Sequence, residues 1–373
     1  MPRYRAIAFS RTATSTLARD PYGYFNFQGQ PAPSLLNFFP SIDTGTYTGQ
    51  SQGPWSLSGN SQYLVMGGEF RNVNDAPQQG LVRFAVSSIA PNKQIPRLFL
   101  SNWVPRAVSP QSGTVRITWS GNWDRDNENF TYQVFRDNDG TRIATLSGRS
   151  NFYEMDQFGY TDTGLTPGST VRYRVKAIDP FGNEAPSDWV TVTVGSGPNT
   201  LYGLDTLADR PLDYWRMGET SGTSTDLASN DPLTINGSVT RNVAGAIAGE
   251  TDGAMTFSGA SSQYAASSTK RWARNTFTVE AWVKTNSSRG GKIIGFGSSA
   301  TGNSSSFDRH LYIGNDGKLR FGIYPGAQRV ITSPSSLVDN QWHYVVGTLA
   351  KGVMTLYVDG QQVGQLTDAF MGH

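Results

Sequence analysis

Two neighbouring segments near the C-terminus constrain the fold of this chain most strongly. Residues 342–348 alternate apolar and polar side chains, and residues 354–363 do so again after a short connection that contains Gly352. This period of two residues is typical of β-strands that have one buried face. Asp359-Gly360 is also a preferred two-residue hairpin turn. The pattern therefore predicts paired antiparallel strands and a fold built from sheets.

The side chains of the same segments follow a family signature. Residues 342–348 (W-H-Y-V-V-G-T) and 356–360 (L-Y-V-D-G) resemble the paired W-H-x-V-x-x-T and L-Y-V-D-G motifs of laminin G-like, concanavalin A-like jelly-roll domains. The resemblance implies a jelly roll over residues 205–373. In bacterial surface proteins such domains are usually binding modules, so the resemblance also implies a binding function.

Further strands of the jelly roll are expected upstream of the signature. Residues 214–219 resemble the opening strand of the family, and residues 277–284 resemble a later one. After Val363 the family normally adds strands that complete the sandwich, whereas this chain ends at His373. We therefore expect a C-terminally truncated domain in which one signature strand lacks a partner and leaves an open edge.

Residues 97–195 resemble a fibronectin type III domain, a β-sandwich. The resemblance is carried by an inward-facing Trp119, by Leu165-Thr166-Pro167-Gly168, and by the alternating run from Tyr173 to Ala177. Strand patterns recur here every 8–12 residues or so, as expected for such a sandwich. Val171 occupies the position where the family usually has a corner tyrosine. The resemblance thus implies a corner that is held by packing alone.

Residues 1–92 contain two short apolar strands around Gly67-Gly68-Glu69-Phe70. They resemble one repeat of a bacterial β-propeller, so further blades are expected upstream, because a closed propeller needs at least about four. The alternative is a small irregular β segment packed on the next domain. Residues 91–96 and 195–199, rich in Pro, Gly and polar residues, are predicted linkers between three domains. The predicted fold class is all-β throughout.

Composition excludes several classes of function. Without cysteine the chain has no disulfide, zinc–thiolate site or cysteine nucleophile. A net charge of +2 without a long basic run argues against nucleic-acid binding. No segment approaches the ~18 apolar residues needed to span a membrane, and the N-terminus lacks the apolar stretch of a signal peptide. The chain is therefore expected to be part of a longer exported bacterial protein, located outside the cell or at its surface.

Catalytic motifs are absent from the sequence. There is no nucleophile elbow, phosphate-binding loop or zinc-protease motif. Related jelly-roll glucanases carry two carboxylates on one strand face, whereas the comparable strand here has Glu280 alone. His343 belongs to the strand signature, where a structural role is expected. The chain is predicted not to be an enzyme.

Calcium is a possible cofactor on sequence grounds, and no other cofactor is indicated. The loop Asp124-Arg125-Asp126-Asn127-Glu128 spaces acidic side chains at alternate positions, which suits a hard cation, but a solvated acidic turn is the alternative. In laminin G-like relatives an aspartate in an F-D-G loop often helps to hold calcium, and Ser258 stands at that position here. The candidate calcium ligands are Asp124, Asp126, Glu128, Glu219 and Asp226.

Three aromatic residues near loops are candidates for stacking on sugar rings: Trp272, Phe307 and Tyr324. For each one, packing within the domain is the alternative. The favoured function is non-catalytic binding or adhesion through a carbohydrate or surface glycoconjugate. A rival hypothesis makes the chain an accessory region of a secreted polysaccharide-degrading enzyme, and a third makes it a structural spacer without a ligand.

Overall fold

The computed structural model describes residues 4–17, 25, 27–153, 155–196, 201–229, 231–250, 252–270, 276–324, 327–350 and 352–367. Within these ranges the regular structure is β-strand except for one helix, α1 (Leu201–Ala208), so the all-β prediction is confirmed. None of the described helical residues forms a segment that is long and apolar enough to cross a membrane. The chain divides into two compact units. The first comprises residues 1–16, 31–214 and 227–230, and the second comprises residues 17–30, 215–226 and 231–373.

The N-terminal part of the first unit forms small antiparallel sheets. Its strands are β1 (Ala8–Thr16), β2 (Pro31–Leu36), β3 (Pro54–Gly59), β4 (Tyr63–Gly68), β5 (Asn72–Val73), β6 (Ala76–Pro77) and β7 (Leu81–Ala85). The largest sheet has the order β3-β4-β7. Met66 and Phe70 are buried in its core together with Val82. The strands expected around Gly67-Gly68 are thus present, and their assignment to a propeller blade stays a prediction.

The rest of the first unit is a sandwich of two antiparallel sheets. Its strands are β8 (Arg106–Val108), β9 (Val115–Ser120), β10 (Asn129–Arg136), β11 (Arg142–Arg149), β12 (Gln157–Asp162), β13 (Thr170–Ile178), β14 (Glu184–Pro186) and β15 (Val190–Thr193). One sheet has the order β12-β9-β8, and the other has the order β11-β10-β13-β14, with β15 also paired to β13. Trp119 is buried between them with Tyr132 and Tyr173, as its alternating strand predicts.

The interactions that hold the corner at the start of β13 differ from the sequence prediction. Val171 is buried in the core as expected, but packing alone does not hold this region. The buried Tyr173 hydroxyl donates a 2.8 Å hydrogen bond to Oδ2 of Asp162 on β12, and Arg136 pairs with the same carboxylate. Burial, followed by the hydrogen bond to Asp162, raises the pKa of Tyr173, so the phenol stays a donor at physiological pH. The bond thus comes from a tyrosine two positions after the family's usual one.

Replacing Tyr173 with Phe is expected to lower the free energy of unfolding of the first unit by about 1.5–3 kcal/mol, because a buried bond to a charged acceptor is lost. Tyr160→Phe is the matched control, since no hydrogen bond of the Tyr160 hydroxyl joins it to the described residues. Urea unfolding of the three proteins measures the difference. Equal losses for both variants would show that the Asp162 bond contributes nothing specific.

The N-terminal sheets and the sandwich of the first unit are joined at the loop after β9. The Phe39 amide donates to the Arg125 carbonyl at 2.7 Å. The Arg125 side chain, only 7% exposed, pairs with Asp75 at 2.8 Å and donates to Oε1 of Gln94 at 2.8 Å. Phe39 also packs edge-to-face on Phe152. The loop is therefore fixed between two parts of the unit.

The second unit contains the jelly-roll strands. They are β16 (Thr234–Asn236), β17 (Thr240–Ala244), β18 (Gly253–Thr256), β19 (Tyr264–Ala266), β20 (Phe277–Lys284), β21 (Gly291–Gly297), β22 (Phe307–Ile313), β23 (Lys318–Ile323), β24 (Arg329–Ser336), β25 (Trp342–Ala350), β26 (Val353–Val358) and β27 (Gln361–Leu366). Two four-stranded sheets dominate, with the orders β20-β25-β26-β27 and β21-β22-β23-β24. Leu311, Phe321, Val345 and Leu356 come from both sheets and share one buried core.

The signature segments form the predicted antiparallel pair, β25 with β26, and a tight turn follows β26. Asp359 and Gly360 have φ values of 50° and 78°, as a two-residue turn with two left-handed positions requires. The turn divides residues 354–363 between β26 and β27. β25 pairs with β20 and β26, and β26 pairs with β25 and β27, so each of these two strands has both neighbours. Residues 361–363 lie in β27, the end strand of the described sheet, and truncation of the domain stays a prediction.

The predicted opening strand at residues 214–219 is not a strand. Trp215 makes only an isolated bridge with Asp226. Met217 has a φ of 62°, and this left-handed conformation interrupts an extended chain. Alternation of apolar and polar residues does not reveal such a residue.

Candidate functional site

The outer face of the sheet β21-β22-β23-β24 carries a regular arrangement of polar and aromatic residues. Leu311 and Ile313 on β22 point into the core, so the alternate residues His310 and Tyr312 lie on the outer face. Tyr312 is the cross-strand partner of Lys292 on β21 and of Arg320 on β23. Because cross-strand partners share a face, these side chains form one row across three strands.

Several rings cluster on this face. The His310 ring lies 5.2 Å from the Phe307 ring and 4.8 Å from the Tyr312 ring. Phe307 and Tyr324 are 59% and 60% exposed. We call Phe307, His310, Tyr312 and Tyr324 the aromatic face. Exposed rings of this kind offer flat apolar surfaces that a ligand can cover.

A strained turn of backbone in β22 holds the aromatic face together. Arg309 has a φ of 48°, which costs of order 1 kcal/mol in a residue other than glycine and tends to occur at functional sites. Oδ1 of Asp308 accepts hydrogen bonds from the Arg309 amide at 2.8 Å and from the Tyr324 amide at 2.7 Å. Asp308 thereby ties the end of β23 to β22.

The Arg309 side chain lies on the inner side of the same strand. The side chain is 5% exposed, and its guanidinium pairs with Oδ2 of Asp308. It also lies 5.6 Å from the centre of the Phe277 ring. The irregularity at Arg309 lets both Phe307 and His310, three positions apart, reach the outer face.

At the centre of the aromatic face the His310 and Tyr312 rings pack over the buried Gly322. Gly322 is the cross-strand partner of His310, and a Cβ at Gly322 would lie 3.4 Å from Nε2 of His310. Burial, and secondarily the charge of Lys292, lower the pKa of His310, so the imidazole is neutral near pH 7. Nδ1 of His310 is buried without a hydrogen-bond partner among the described residues, so Nε2 is the ring nitrogen that could bond a ligand hydroxyl.

Two of the three residues chosen from the sequence therefore meet on one face. Phe307 and Tyr324 lie near the same end of the sheet, beside Asp308. Trp272 lies outside the described residues. Sequence reasoning missed His310 and Tyr312. Their alternation with the buried Leu311 and Ile313 was a usable signal for both.

The loop candidates for calcium are engaged with protein partners. Asp124 is fully buried, and its carboxylate accepts hydrogen bonds from the Arg125 amide at 2.6 Å and from Nδ2 of Asn127 at 3.1 Å. Burial, and then the carboxylates of Asp126 and Asp179, raise the pKa of Asp124 to about 7.

The other loop candidates also have partners. Asp126 accepts a 2.6 Å bond from Asn92, and Glu128 pairs with Arg149 at 2.8 Å. In the second unit Glu219 accepts a 2.7 Å bond from the Thr225 amide. Asp226 is fully buried and accepts a bond from the Asp231 amide. Within the described ranges, no group of three or more His, Asp or Glu side chains could hold a metal ion.

His343 occupies a structural position between two carboxylates. Its Nδ1 lies 2.8 Å from Oδ2 of Asp359, and its Nε2 lies 3.2 Å from Oδ1 of Asp339. Burial alone would lower the pKa of His343, but the hydrogen bonds to Asp359 and Asp339, together with their charges, outweigh it and raise the pKa. His343 thus links the start of β25 to the turn between β26 and β27.

The stability of the second unit is expected to depend on pH through His343. A raised folded-state pKa means that the stabilisation is complete below the unfolded value of about 6.5 and is lost as the pH rises through the folded value. His343→Gln should therefore be destabilising at pH 6 and less so at pH 9. Thermal unfolding of both proteins at the two pH values tests this, with Gln341→Ala as a neighbouring control. An equal loss at both values would contradict the linkage.

Comparison with known proteins agrees with the fold of the second unit. Residues 258–370 match the model of the concanavalin A-like lectin/glucanases superfamily, so a laminin G-like, concanavalin A-like domain is present. An amylopullulanase from Thermoanaerobacterium saccharolyticum is 33% identical over 84 residues, which are 22% of this chain and 6% of that protein. The chain thus corresponds to only a small part of that relative.

Solved structures with fibronectin type III and laminin folds are also similar to parts of the chain. The sixth fibronectin type III domain of human fibronectin type III domain containing protein 3 is 17% identical, with 29% of this chain and 96% of that chain covered and a TM-score of 0.22. Mouse laminin alpha1 domains LG4-5 are 13% identical, with 75% and 84% covered and a TM-score of 0.21. A Clostridium thermocellum S-layer domain-containing protein is 22% identical, with 43% and 73% covered and a TM-score of 0.24.

Proposed function

We propose that the second unit is a non-catalytic glycan-binding module and that the aromatic face is its binding surface. The observation that carries this proposal is the exposure of Phe307 and Tyr324 beside His310 on one sheet, held by the strained Arg309. An isolated exposed ring needs no explanation, but a cluster of rings on a flat sheet is typical of a binding site. The match to a family described as lectins and glucanases supports the same class of ligand.

The chemistry of the aromatic face suits sugar rings. The faces of Phe307 and Tyr324 can cover the apolar C–H side of a sugar, while the imidazole of His310 and the hydroxyls of Tyr312 and Tyr324 can bond its hydroxyl groups. Gly322 is buried beneath the His310 and Tyr312 rings, so a sugar would contact these rings and not the glycine backbone. Such a site forms without a metal ion.

Two biological settings fit a module of this kind, and we favour adhesion or surface recognition outside the cell. The amylopullulanase match supports the second setting, an accessory region of a secreted polysaccharide-degrading enzyme. In either setting this chain supplies binding. The two settings differ in whether a catalytic domain belongs to the same protein, which sequencing of the complete gene decides.

The proposal predicts that binding depends on the exposed rings. Affinity gel electrophoresis with starch, pullulan and polygalacturonate should show retardation of the wild-type chain by at least one polymer. Phe307→Ala and Tyr324→Ala should each weaken that retardation by about tenfold, since loss of one stacked ring costs roughly 1–1.5 kcal/mol. Phe181→Ala, at a ring that is 41% exposed in the first unit, is the control. Retardation by a polymer that none of the ring variants alters would overturn the assignment.

We expect no glycoside hydrolysis by this chain. Glu280 is exposed on β20, and its cross-strand partner is Val346, so the residue across the ladder provides no second carboxylate. Retaining hydrolysis needs two carboxyl groups about 5–5.5 Å apart. Reducing-sugar assays on starch, pullulan and xylan should give no turnover. Turnover that disappears in Glu280→Gln would contradict this expectation.

A further inference from the structure

We infer that the glycan recognised by the aromatic face is anionic, with carboxylate or sulfate groups on its sugars. This inference rests on the proposed function and narrows its ligand class. It comes from the charge of the sheet that carries the face, which is independent of the exposure of the rings. The ion pairs within the sheet show which basic side chains are already neutralised and which are left to contact a ligand.

The sheet β21-β22-β23-β24 and its adjoining loops are distinctly basic. Residues 285–338 contain six Lys and Arg residues but only two acidic ones, a formal net charge of +4, whereas the whole chain carries +2. The remainder of the chain is therefore net acidic. The basic residues are Arg289, Lys292, Arg309, Lys318, Arg320 and Arg329. Positive charge is thus concentrated on the one sheet that displays the aromatic face.

Both acidic residues of this segment are already engaged. Asp308 pairs with the buried Arg309 and accepts two backbone hydrogen bonds. Asp316 pairs with Arg320 through both carboxylate oxygens, each at 2.7 Å. The guanidinium beside Asp316 holds the pKa of that carboxyl at about 2. Neither carboxylate is left to repel an anion.

The lysines of the same face have no such partner. Neither Lys292 nor Lys318 forms an ion pair with a carboxylate in the described part of the chain. Lys292 lies opposite Tyr312 on the outer face, and its charge reaches His310, whose pKa it lowers. An uncompensated ammonium beside a row of rings favours a sugar that presents its own negative charge.

The rings and the basic side chains lie at opposite ends of the aromatic face. Phe307, His310 and Tyr324 lie at one end of the face. Lys292 and Arg320 flank Tyr312 at the other end. A sugar ring stacked on Phe307 or Tyr324 would therefore have its acidic substituent directed toward Lys292. A neutral glucan would use the rings alone and leave the ammonium solvated.

The test compares polymers that differ in charge, using the full chain. Affinity electrophoresis is run with polygalacturonate, dextran sulfate, uncharged dextran, pullulan and double-stranded DNA. The variants are Lys292→Gln, Tyr324→Ala and, as a control outside the face, Lys284→Gln on β20. Lys292→Gln should weaken binding of the anionic polysaccharide by about three- to tenfold, and raising the salt from 50 to 300 mM should weaken the wild type similarly, because exposed charge pairs are screened by salt.

The outcomes separate this inference from the proposed function. Retention by polygalacturonate or dextran sulfate alone, sensitive to Lys292→Gln and Tyr324→Ala but not to Lys284→Gln, supports it and shows whether carboxylate or sulfate is preferred. Equal retention by dextran or pullulan overturns the anionic ligand and leaves glycan binding intact. Equal retention by DNA, insensitive to Tyr324→Ala, overturns it in favour of non-specific charge. Retention by none of the polymers overturns the proposed function as well.

Discussion

Replacing Asp308 with Ala is expected to destabilise the second unit by about 3 kcal/mol and to abolish glycan binding. The change removes the carboxylate that pairs with the Arg309 side chain, which is 5% exposed. Removing one partner of a buried ion pair typically costs roughly 3–5 kcal/mol, and the 25% exposure of the Asp308 side chain places this change at the lower end. It also removes the acceptor of the Arg309 and Tyr324 amides, which releases the end of β23 that carries Tyr324.

Asp308→Asn provides the matched control. Its amide oxygen can still accept the two backbone hydrogen bonds, while the charge opposite Arg309 is lost. We expect a smaller loss of stability, about half that of the Ala variant, and partial binding. Denaturant unfolding and affinity electrophoresis of both variants provide the measurements. If the Ala variant is as stable as the wild type and binds normally, Asp308 does not organise the face.

Replacing Gly347 with Val is expected to cost the second unit about 3 kcal/mol. A Cβ at this position would lie 2.6 to 2.9 Å from three atoms of the Phe321 ring, and Phe321 is fully buried. Overpacking of a filled core costs about 1–3 kcal/mol, and the two extra methyl groups of valine place this change at the upper end.

Thr348→Val is the control for Gly347→Val, because it introduces the same residue on the outer face of the same strand without adding a side chain to the core. Its effect should stay within about 0.5 kcal/mol. Thermal unfolding monitored by near-ultraviolet circular dichroism distinguishes the two variants. A Gly347→Val protein as stable as the control would show that Phe321 moves aside freely and that the core near β25 is loosely packed.

The sequence predicted the sheets of the second unit well because their strands alternate apolar and polar residues. The alternation through residues 342–348, the Asp359-Gly360 turn and the strand at residues 277–284 are all found where the pattern requires them. Strands usually avoid glycine, but position 347 in β25 is a glycine. The Phe321 ring, 26 positions away in the sequence, packs so close to Gly347 that a side chain would not fit. No local sequence pattern shows this contact.

The parts that sequence reasoning missed depend on single backbone angles or on distant partners. Met217, with its φ of 62°, interrupts the predicted opening strand. Arg309, with its φ of 48°, shifts the alternation in β22 and brings Phe307 and His310 to one face. Neither residue is a glycine or an asparagine, so the residue type does not predict a left-handed conformation at either position.

The candidate site was predictable only in part for the same reason. Phe307 and Tyr324 were chosen because they lie near loops rich in small residues, which is a general feature of binding sites. Their common location depends on the register of β22 with β23, in which His310 lies opposite Gly322. The corner bond of the first unit is similar, since the partner of Tyr173 is Asp162 on another strand.

The central claim is that a glycan covers the outer face of β21-β22-β23-β24. Hydrogen–deuterium exchange of the full chain, with and without the polymer that retards it most, tests this directly. Peptides within residues 291–297 and 307–324 should exchange more slowly in the presence of polymer, while peptides within 277–284 and 342–350 on the opposite sheet should not change. Protection confined to the opposite sheet or to the first unit would contradict the claim.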